Sequence, residues 1–175
     1  WVQQGNKLVG TGAVGNAQQG MSVGLSADGR TAIIGGMADN SSQGGAWIFT
    51  GDGLGNWTQE GNKLVGTGAV GAARQGVSVA ISADGNTAIV GGNYDNGSQG
   101  AAWVYTRSGN TWSQQGNKLV GSGASGTFIY QGQSVSISAD GNTVVIGGPS
   151  DNNAQGASWV FTRSGNAWTQ QGTKL

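Results

Sequence analysis

The chain has 175 residues with 8 basic and 8 acidic side chains, 36 glycines, one proline, and no cysteine or histidine. Without thiol or imidazole it lacks the ligands zinc and copper favour, any disulfide framework and any Ser-His or Cys-His nucleophile. Zero net charge argues against a nucleic-acid partner, no apolar run approaches the ~18 residues of a membrane span, and Trp1 opens directly into repeat sequence rather than a signal peptide.

In chain order, the same elements pass three times. An opening segment of pattern W-x-Q-Q/E-G-x-K-L starts at Trp1, Trp57, Trp112 and Trp168, at spacings of 56, 55 and 56 residues. Within each repeat follow Gln-Gly (at 19, 75 and 131), Ser-Ala-Asp-Gly (at 26, 82 and 138), Gly-Gly (at 35, 91 and 147) and Asp-Asn (at 39, 95 and 151). Each repeat closes on a Trp, an aliphatic and an aromatic residue, at 47–49, 103–105 and 159–161. The single array 1–175 therefore divides into units of approximately 1–56, 57–111 and 112–167, with 168–175 a fourth opening strand. Length differences fall at 51–56 and 125–130, where loops absorb an extra residue.

Each unit reads as four short strands. In the second, Trp57–Val65 is the first. Gly76–Ser82 is the next, with Val77, Val79 and Ile81 on one face and small residues on the other. Ala83-Asp84-Gly85-Asn86 is a hairpin turn, because Asp-Gly supplies the positive φ that a tight turn needs. Thr87–Gly92 and Ala101–Arg107 complete the set, and Ser108-Gly109-Asn110 turns into the next Trp. No stretch has helical periodicity, and no helix is expected. The fold class is all-β: repeated four-stranded antiparallel blades, β-propeller-like. A β-solenoid is the alternative, although its shorter rungs fit Asp-Gly hairpins poorly.

These motifs resemble FG-GAP repeats, the blades of the propeller that heads integrin α chains. Gln-Gly at 19, 75 and 131 stands where that family has Phe-Gly, and Gly-Gly at 35, 91 and 147 where it has Gly-Ala; Pro149 completes a Gly-Gly-Pro in the third unit. The resemblance covers essentially the whole chain. It implies that each Trp-led segment forms the outer strand of the blade made by the three strands before it. It also implies a secreted or cell-surface protein. Many members carry a calcium loop of the form Asp-x-Asp-x-Asp-Gly, which is absent here. The weak calcium candidates are Asp28, Asp84 and Asp140, each alone before Gly, and Asp39, Asp95 and Asp151 of the Asp-Asn pairs. All six are read first as turn residues bonding backbone amides, so no cofactor is expected.

No catalytic constellation is legible, and the expectation is a non-enzyme. The only glutamate, Glu60, stands where the other units carry Gln4, Gln115 and Gln171, which is poor design for a general acid. Trp1, Trp57, Trp112 and Trp168 are the ligand-binding candidates, for a glycan or protein partner; Trp47, Trp103 and Trp159 are read as packing between blades. Lys7, Lys63, Lys118 and Lys174 are read as charges protecting an edge strand. Three blades are fewer than the roughly four that close a propeller. Two readings follow: the chain is a piece of a longer repeat protein, part of a larger propeller or fibre, or several copies assemble as a homo-oligomer or filament through head-to-tail blade contacts, and the second is preferred. Segments 1–8 and 168–175 would compete for one edge position. The function expected is a structural or adhesive extracellular module, with a carbohydrate-binding or a calcium-stabilised ligand-binding propeller as alternatives.

Overall fold

The computed structural model describes residues 2–175, so Trp1 lies outside the described residues. Twelve strands form three antiparallel sheets, each a simple meander. The first holds β1 (Ser22–Leu25), β2 (Thr31–Gly36), β3 (Gly45–Gly51) and β4 (Trp57–Gln59). The second holds β5 (Ser78–Ile81), β6 (Thr87–Gly92), β7 (Ala101–Ser108) and β8 (Thr111–Gln114). The third holds β9 (Ser134–Ile137), β10 (Thr143–Gly148), β11 (Ala157–Ser164) and β12 (Ala167–Gln170).

Each Trp-led strand is thus the outer edge of the blade before it: Trp57 pairs with Gly51, Trp112 with Arg107 and Trp168 with Arg163. That strand is shorter than the sequence implies. It breaks after Gln59, where Gly61 takes φ +72° and the Gln59 amide donates to the Gly61 carbonyl at 2.9 Å. The chain then rejoins the edge at Leu64, which exchanges two backbone bonds with Ala46 at 2.8 and 3.0 Å.

One feature contradicts the expectation of no helix. Three four-residue helical turns, α1 (Asp39–Ser42), α2 (Asp95–Ser98) and α3 (Asp151–Ala154), link the second and third strands of the blades. They are not ordinary α-helix: Asn40 and Ser41 sit at φ 47° and 57°, in the left-handed region, and the other two turns repeat this. Asparagine tolerates that region better than most residues, which is why Asn follows Asp in every unit.

The blades stack face to face. On the first, Ile33, Ala46 and Ile48 meet Val79, Ala88, Val90, Trp103 and Tyr105 of the second. The next seam repeats the pattern, with Ile89, Ala102 and Val104 against Val144, Ile146, Trp159 and Phe161. Glycine sets how closely sheets approach. A Cβ on Gly35 would strike the Gly76 carbonyl of the next blade, whose oxygen accepts from Ser22 Oγ at 2.9 Å. The hairpin turns are tied too, Ala27 N to the Ala83 carbonyl and Ala83 N to the Ala139 carbonyl, both at 3.0 Å.

Candidate functional site

Before each blade runs a leader segment, and three side-chain devices clamp it. The glutamine of Gln-Gly makes a two-bond amide clamp: Gln75 Oε1 accepts from Gly66 N at 2.5 Å and Gln75 Nε2 donates to the Gly66 carbonyl at 3.1 Å. Gln131 does the same to Gly121, and Gln19 to Gly10. The fully buried Trp103 donates from Nε1 to the Thr67 carbonyl at 2.8 Å, as Trp47 does to Thr11 and Trp159 to Ser122. A Cβ on Gly66 would overlap the Trp103 ring, so glycine there is a packing requirement. Trp47, Trp103 and Trp159 are core, as the sequence implies.

The third device joins units. Asp39, Asp95 and Asp151 are buried, and each pairs with the lysine of the following opening segment: Lys63, Lys118 and Lys174. The other carboxylate oxygen accepts a leader amide, from Val14, Val70 and Ser125, at 2.7 Å in each case. Burial pushes the Asp151 carboxyl up, but Lys174 and the Ser125 amide pull it down further, so it lies below the usual carboxylate range. Lys63, Lys118 and Lys174 therefore act as the second half of a buried pair, which corrects their reading as edge-protecting charges. Of the four equivalent lysines, Lys7 has no acidic partner among the described residues.

Asp28, Asp84 and Asp140 sit at the opposite end of the strands, in the hairpin turns. Asp28 accepts from Ser26 Oγ at 2.6 Å and Arg30 N at 3.0 Å, which hold its carboxyl below the ordinary value. Asp84 and Asp140 repeat the arrangement. The two sets of aspartates do not come together, and among the described residues no group of three His, Cys, Asp or Glu side chains gathers.

Trp57, Trp112 and Trp168 lie half-buried on the outer edges. Arg107 lies 5.8 Å from the Trp112 ring centre and Arg163 5.5 Å from that of Trp168. Trp57 instead packs over Gly51. Arg107 also reaches back to Glu60 of the preceding edge at 3.1 Å, and Arg163 to Gln115 at 3.1 Å. Beside each tryptophan runs a groove of the same construction. Trp57 and Asn56 face Gly5–Leu8 across about 460 Å³, Trp168 and Asn166 face Gly116–Leu119 across about 430 Å³, and Trp112 and Asn110 face Gly61–Leu64 across about 270 Å³.

The two ends of the stack differ from its interior. On the front of the first blade Val23 and Leu25 are 69% and 58% exposed, whereas Val79, the counterpart of Val23 in the second, is 8% exposed. On the rear of the third blade Val145 is 37% exposed, whereas its counterparts Ile33 and Ile89 are fully buried. The same rear edge carries a concavity of about 520 Å³ lined by Gly147, Gly148, Gly156, Ala157, Ser158 and Leu175. In the first blade the corresponding wall is Gly35, Gly36, Gly44, Gly45, Ala46 and Leu64, and there Gln75-Gly76 of the next blade fills the space. Gln75 N donates to the Gln43 carbonyl at 3.0 Å, and a Cβ on Gly44 would strike the Gln75 backbone. Gln131-Gly132 fills the second in the same way. The motif reading missed this socket. Its signal was present in the third unit, where Ser136 and Ser158 replace the Ala80 and Ala102 of the second.

Stacked four-stranded meanders with inner strands adjoining define a β-propeller-like repeat array. Among solved structures the chain is similar to Sqt1 from Saccharomyces cerevisiae, a β-propeller, with a TM-score of 0.56 and 13% identity over 89% of this chain. The match spans 35% of the length of Sqt1. No protein-family model and no curated protein matches the sequence.

Proposed function

We propose that this chain is a non-enzymatic structural or adhesive repeat module whose last blade joins the front of a further blade, supplied by another copy or by a longer array of the same repeats. The observation that carries this is the socket on the third blade. Its two internal equivalents are each filled by the Gln-Gly of the following blade, and Gln19-Gly20 is that same motif at the front of the first. Val23 and Leu25 would meet Val145 and Val160 as their counterparts meet inside the chain. Ser136 and Ser158 make the rear face more polar than the internal ones, so the joint is reversible and concentration-dependent rather than obligate. A head-to-tail contact repeated by one rotation closes into a ring or runs on as a fibre. The resemblance to FG-GAP repeats supports a secreted or cell-surface setting.

Light scattering on a sizing column at several concentrations tests this reading. Native chain gives species larger than one copy, growing with concentration. Leu25→Asp and Val145→Asp each block one end, so an equal mixture of the two stops at dimers. A monomer at every concentration refutes the joint.

A second reading rests on the three equivalent grooves. Each sets an indole beside an asparagine amide, which suits a pyranose ring stacked on its apolar face and bonded at its hydroxyls. A glycan array probed with native chain and with Trp112→Ala and Trp57→Ala tests it. Weakened binding by either folded variant supports it, and undiminished binding by a folded variant carrying Trp57→Ala, Trp112→Ala and Trp168→Ala together would remove the grooves as the site.

A further inference from the structure

The three units share one fold, so a residue that one unit has and the others lack is not required by that fold. Counted back from Gln-Gly, the third unit has Phe128 and Tyr130 where the second has Ala72 and Arg74 and the first has Asn16 and Gln18. Just before the buried aspartate, the second unit has Tyr94 where the others have Ala38 and Ser150. These unit-specific side chains meet across the seam between the second and third blades. The Tyr94 and Tyr130 ring centres are 5.5 Å apart, those of Phe128 and Tyr130 are 6.4 Å apart with planes at 19°, and the Arg74 guanidinium sits 3.8 Å from the Tyr94 ring centre. The result is a strip of three rings capped by one cation. It stands at the opposite end of the strands from Trp112, since Tyr94 follows the Gly92 end of β6 and Trp112 pairs at the Arg107 end of β7.

The strip is held in place and left open. Gln99 Nε2 donates to the Thr127 carbonyl at 3.0 Å and Ile129 is fully buried, so Phe128 between them is presented outward, 56% exposed. Ile129 N and Tyr130 N both donate to the Ser98 carbonyl at 2.9 Å. Tyr130 takes φ +59°, as Gln18 and Arg74 take +55° and +56°. All three units use that left-handed backbone, but a bulky ring is poorly suited to it and glutamine serves in the first unit. A ring kept at such a position points to a use for the ring.

The chemistry of the strip selects its ligand. The main chain beneath it is already engaged: Tyr94 N donates to the Ala73 carbonyl and the Tyr94 carbonyl accepts from Ser98 N, both at 3.2 Å, while the Tyr130 and Arg74 carbonyls accept from Gln133 N and Val77 N at 3.0 and 3.1 Å. An extended peptide seeking backbone partners finds these groups taken, and recognition falls to the side chains. Aromatic faces suit the apolar face of a pyranose. Arg74 pairs with no acidic side chain among the described residues. Stacking on Tyr94 orients its planar fork, which suits a carboxylate bound by two parallel N–H groups. One residue along, Asn93 Nδ2 donates to Gln133 Oε1 across the same seam, which fixes the exposed Gln133 amide beside the rings.

We infer that this strip binds an acidic sugar, a pyranoside bearing a carboxylate. Its rings lie on Tyr94, Tyr130 and Phe128, its carboxylate on Arg74, and a hydroxyl on Gln133 Nε2. The site differs from the grooves beside Trp57, Trp112 and Trp168 in its residues, its place and the charge it selects. Every contributing residue lies in the second and third units, so the site is complete whatever adjoins the array.

A glycan array carrying uronic- and sialic-acid oligosaccharides beside their neutral counterparts tests this, with calorimetry on the glycans bound. The first unit carries Gln18 and Ala38 at the matching positions, so Arg74→Gln, Tyr130→Gln and Tyr94→Ala are changes the fold accepts, and thermal melts confirm it. Native chain binds acidic glycans in preference to neutral ones. Arg74→Gln weakens that binding by roughly tenfold or more and removes the preference. Tyr94→Ala and Tyr130→Gln each weaken it by roughly threefold or more. No acidic glycan bound by native chain, or a preference that survives Arg74→Gln, overturns the site. Binding lost with Trp112→Ala but kept with Tyr94→Ala puts the sugar in the edge grooves and overturns it too. An acidic proline-rich peptide that binds more tightly than any glycan, and responds to the same variants, overturns the sugar as occupant.

Discussion

Gln75→Leu measures how much the clamp on the leader contributes. The leucine fills much the same volume, but it strips the Gly66 N–H and C=O of their only side-chain partners inside a buried seam. Two buried groups left unpaired cost about 1–3 kcal/mol each, and the apolar side chain returns about 1–2 kcal/mol. These ranges combine to a net loss of about 0–5 kcal/mol with a centre of about 2.5 kcal/mol, and that central value lowers Tm in a chain of this size by roughly 5–10 °C. Gln131→Leu should behave alike, because Gln131 is 1% exposed and clamps Gly121 in the same way. Gln19→Leu removes the same two bonds where Gln19 is only half-buried, so water can take their place and the loss should be less than half as large. Urea unfolding followed by tryptophan fluorescence gives the three stabilities, and hydrogen exchange at the Gly66 amide locates the damage. Equal losses at positions 19 and 75, or no loss at 75, would refute the claim that desolvation sets the cost.

Four further outcomes follow from the same packing. Tyr105→Phe should leave stability unchanged or raise it by up to about 1 kcal/mol, because the Tyr105 hydroxyl is buried with no partner and the other units carry Phe49 and Phe161 there; a loss above that in thermal melts would reveal a hidden bond. Lys118→Met strands the buried Asp95 carboxylate and should cost about 3 kcal/mol in urea, with Asp95→Asn added to it recovering more than half. Gly66→Ala should cost about 1–3 kcal/mol or more through overlap with Trp103, whereas Gly68→Ala, at φ +74° in open space, should cost about 1 kcal/mol. Asp28, Asp140 and Asp151 are all held below the ordinary aspartate value. Their contribution is therefore whole above the unfolded value of about 3.9 and is lost as pH falls through the lower native values. With no histidine to titrate, Tm should stay flat from pH 8 to 5 and fall below about pH 4; a midpoint near pH 6 would contradict this.

The parts of the fold set by local chemistry were legible in the sequence. Thr87–Gly92 has the same bounds in the sequence reading and in the sheet, because Asp-Gly closes one end and Gly-Gly marks the other. The Trp-led segment lies on the edge that the resemblance implies, but its strand is shorter than the sequence suggests, since nothing in its pattern reveals that the Gln59 side chain folds back on Gly61. The left-handed turns escaped notice because Asp-Asn signals a turn without giving its hand. The lysine–aspartate pairs were missed for a different reason. The partners stand 23 or 24 residues apart across a unit boundary, and only the offset between sequence repeat and blade brings them together. The end faces needed that offset as well. Val145 becomes informative only when its counterparts Ile33 and Ile89 are known to share seams with the residues matching Val23 and Leu25.

The staggered closure of each blade has a genetic consequence. Lys63 reaches Asp39, Arg107 reaches Glu60 and Ser78 reaches the Gly132 carbonyl, each bridging no further than an adjacent unit. Unequal crossing-over between in-phase copies of the coding sequence can therefore add or delete a unit at any point and still leave every surviving sheet with four strands. Such a gene can change the length of its product in steps of one repeat.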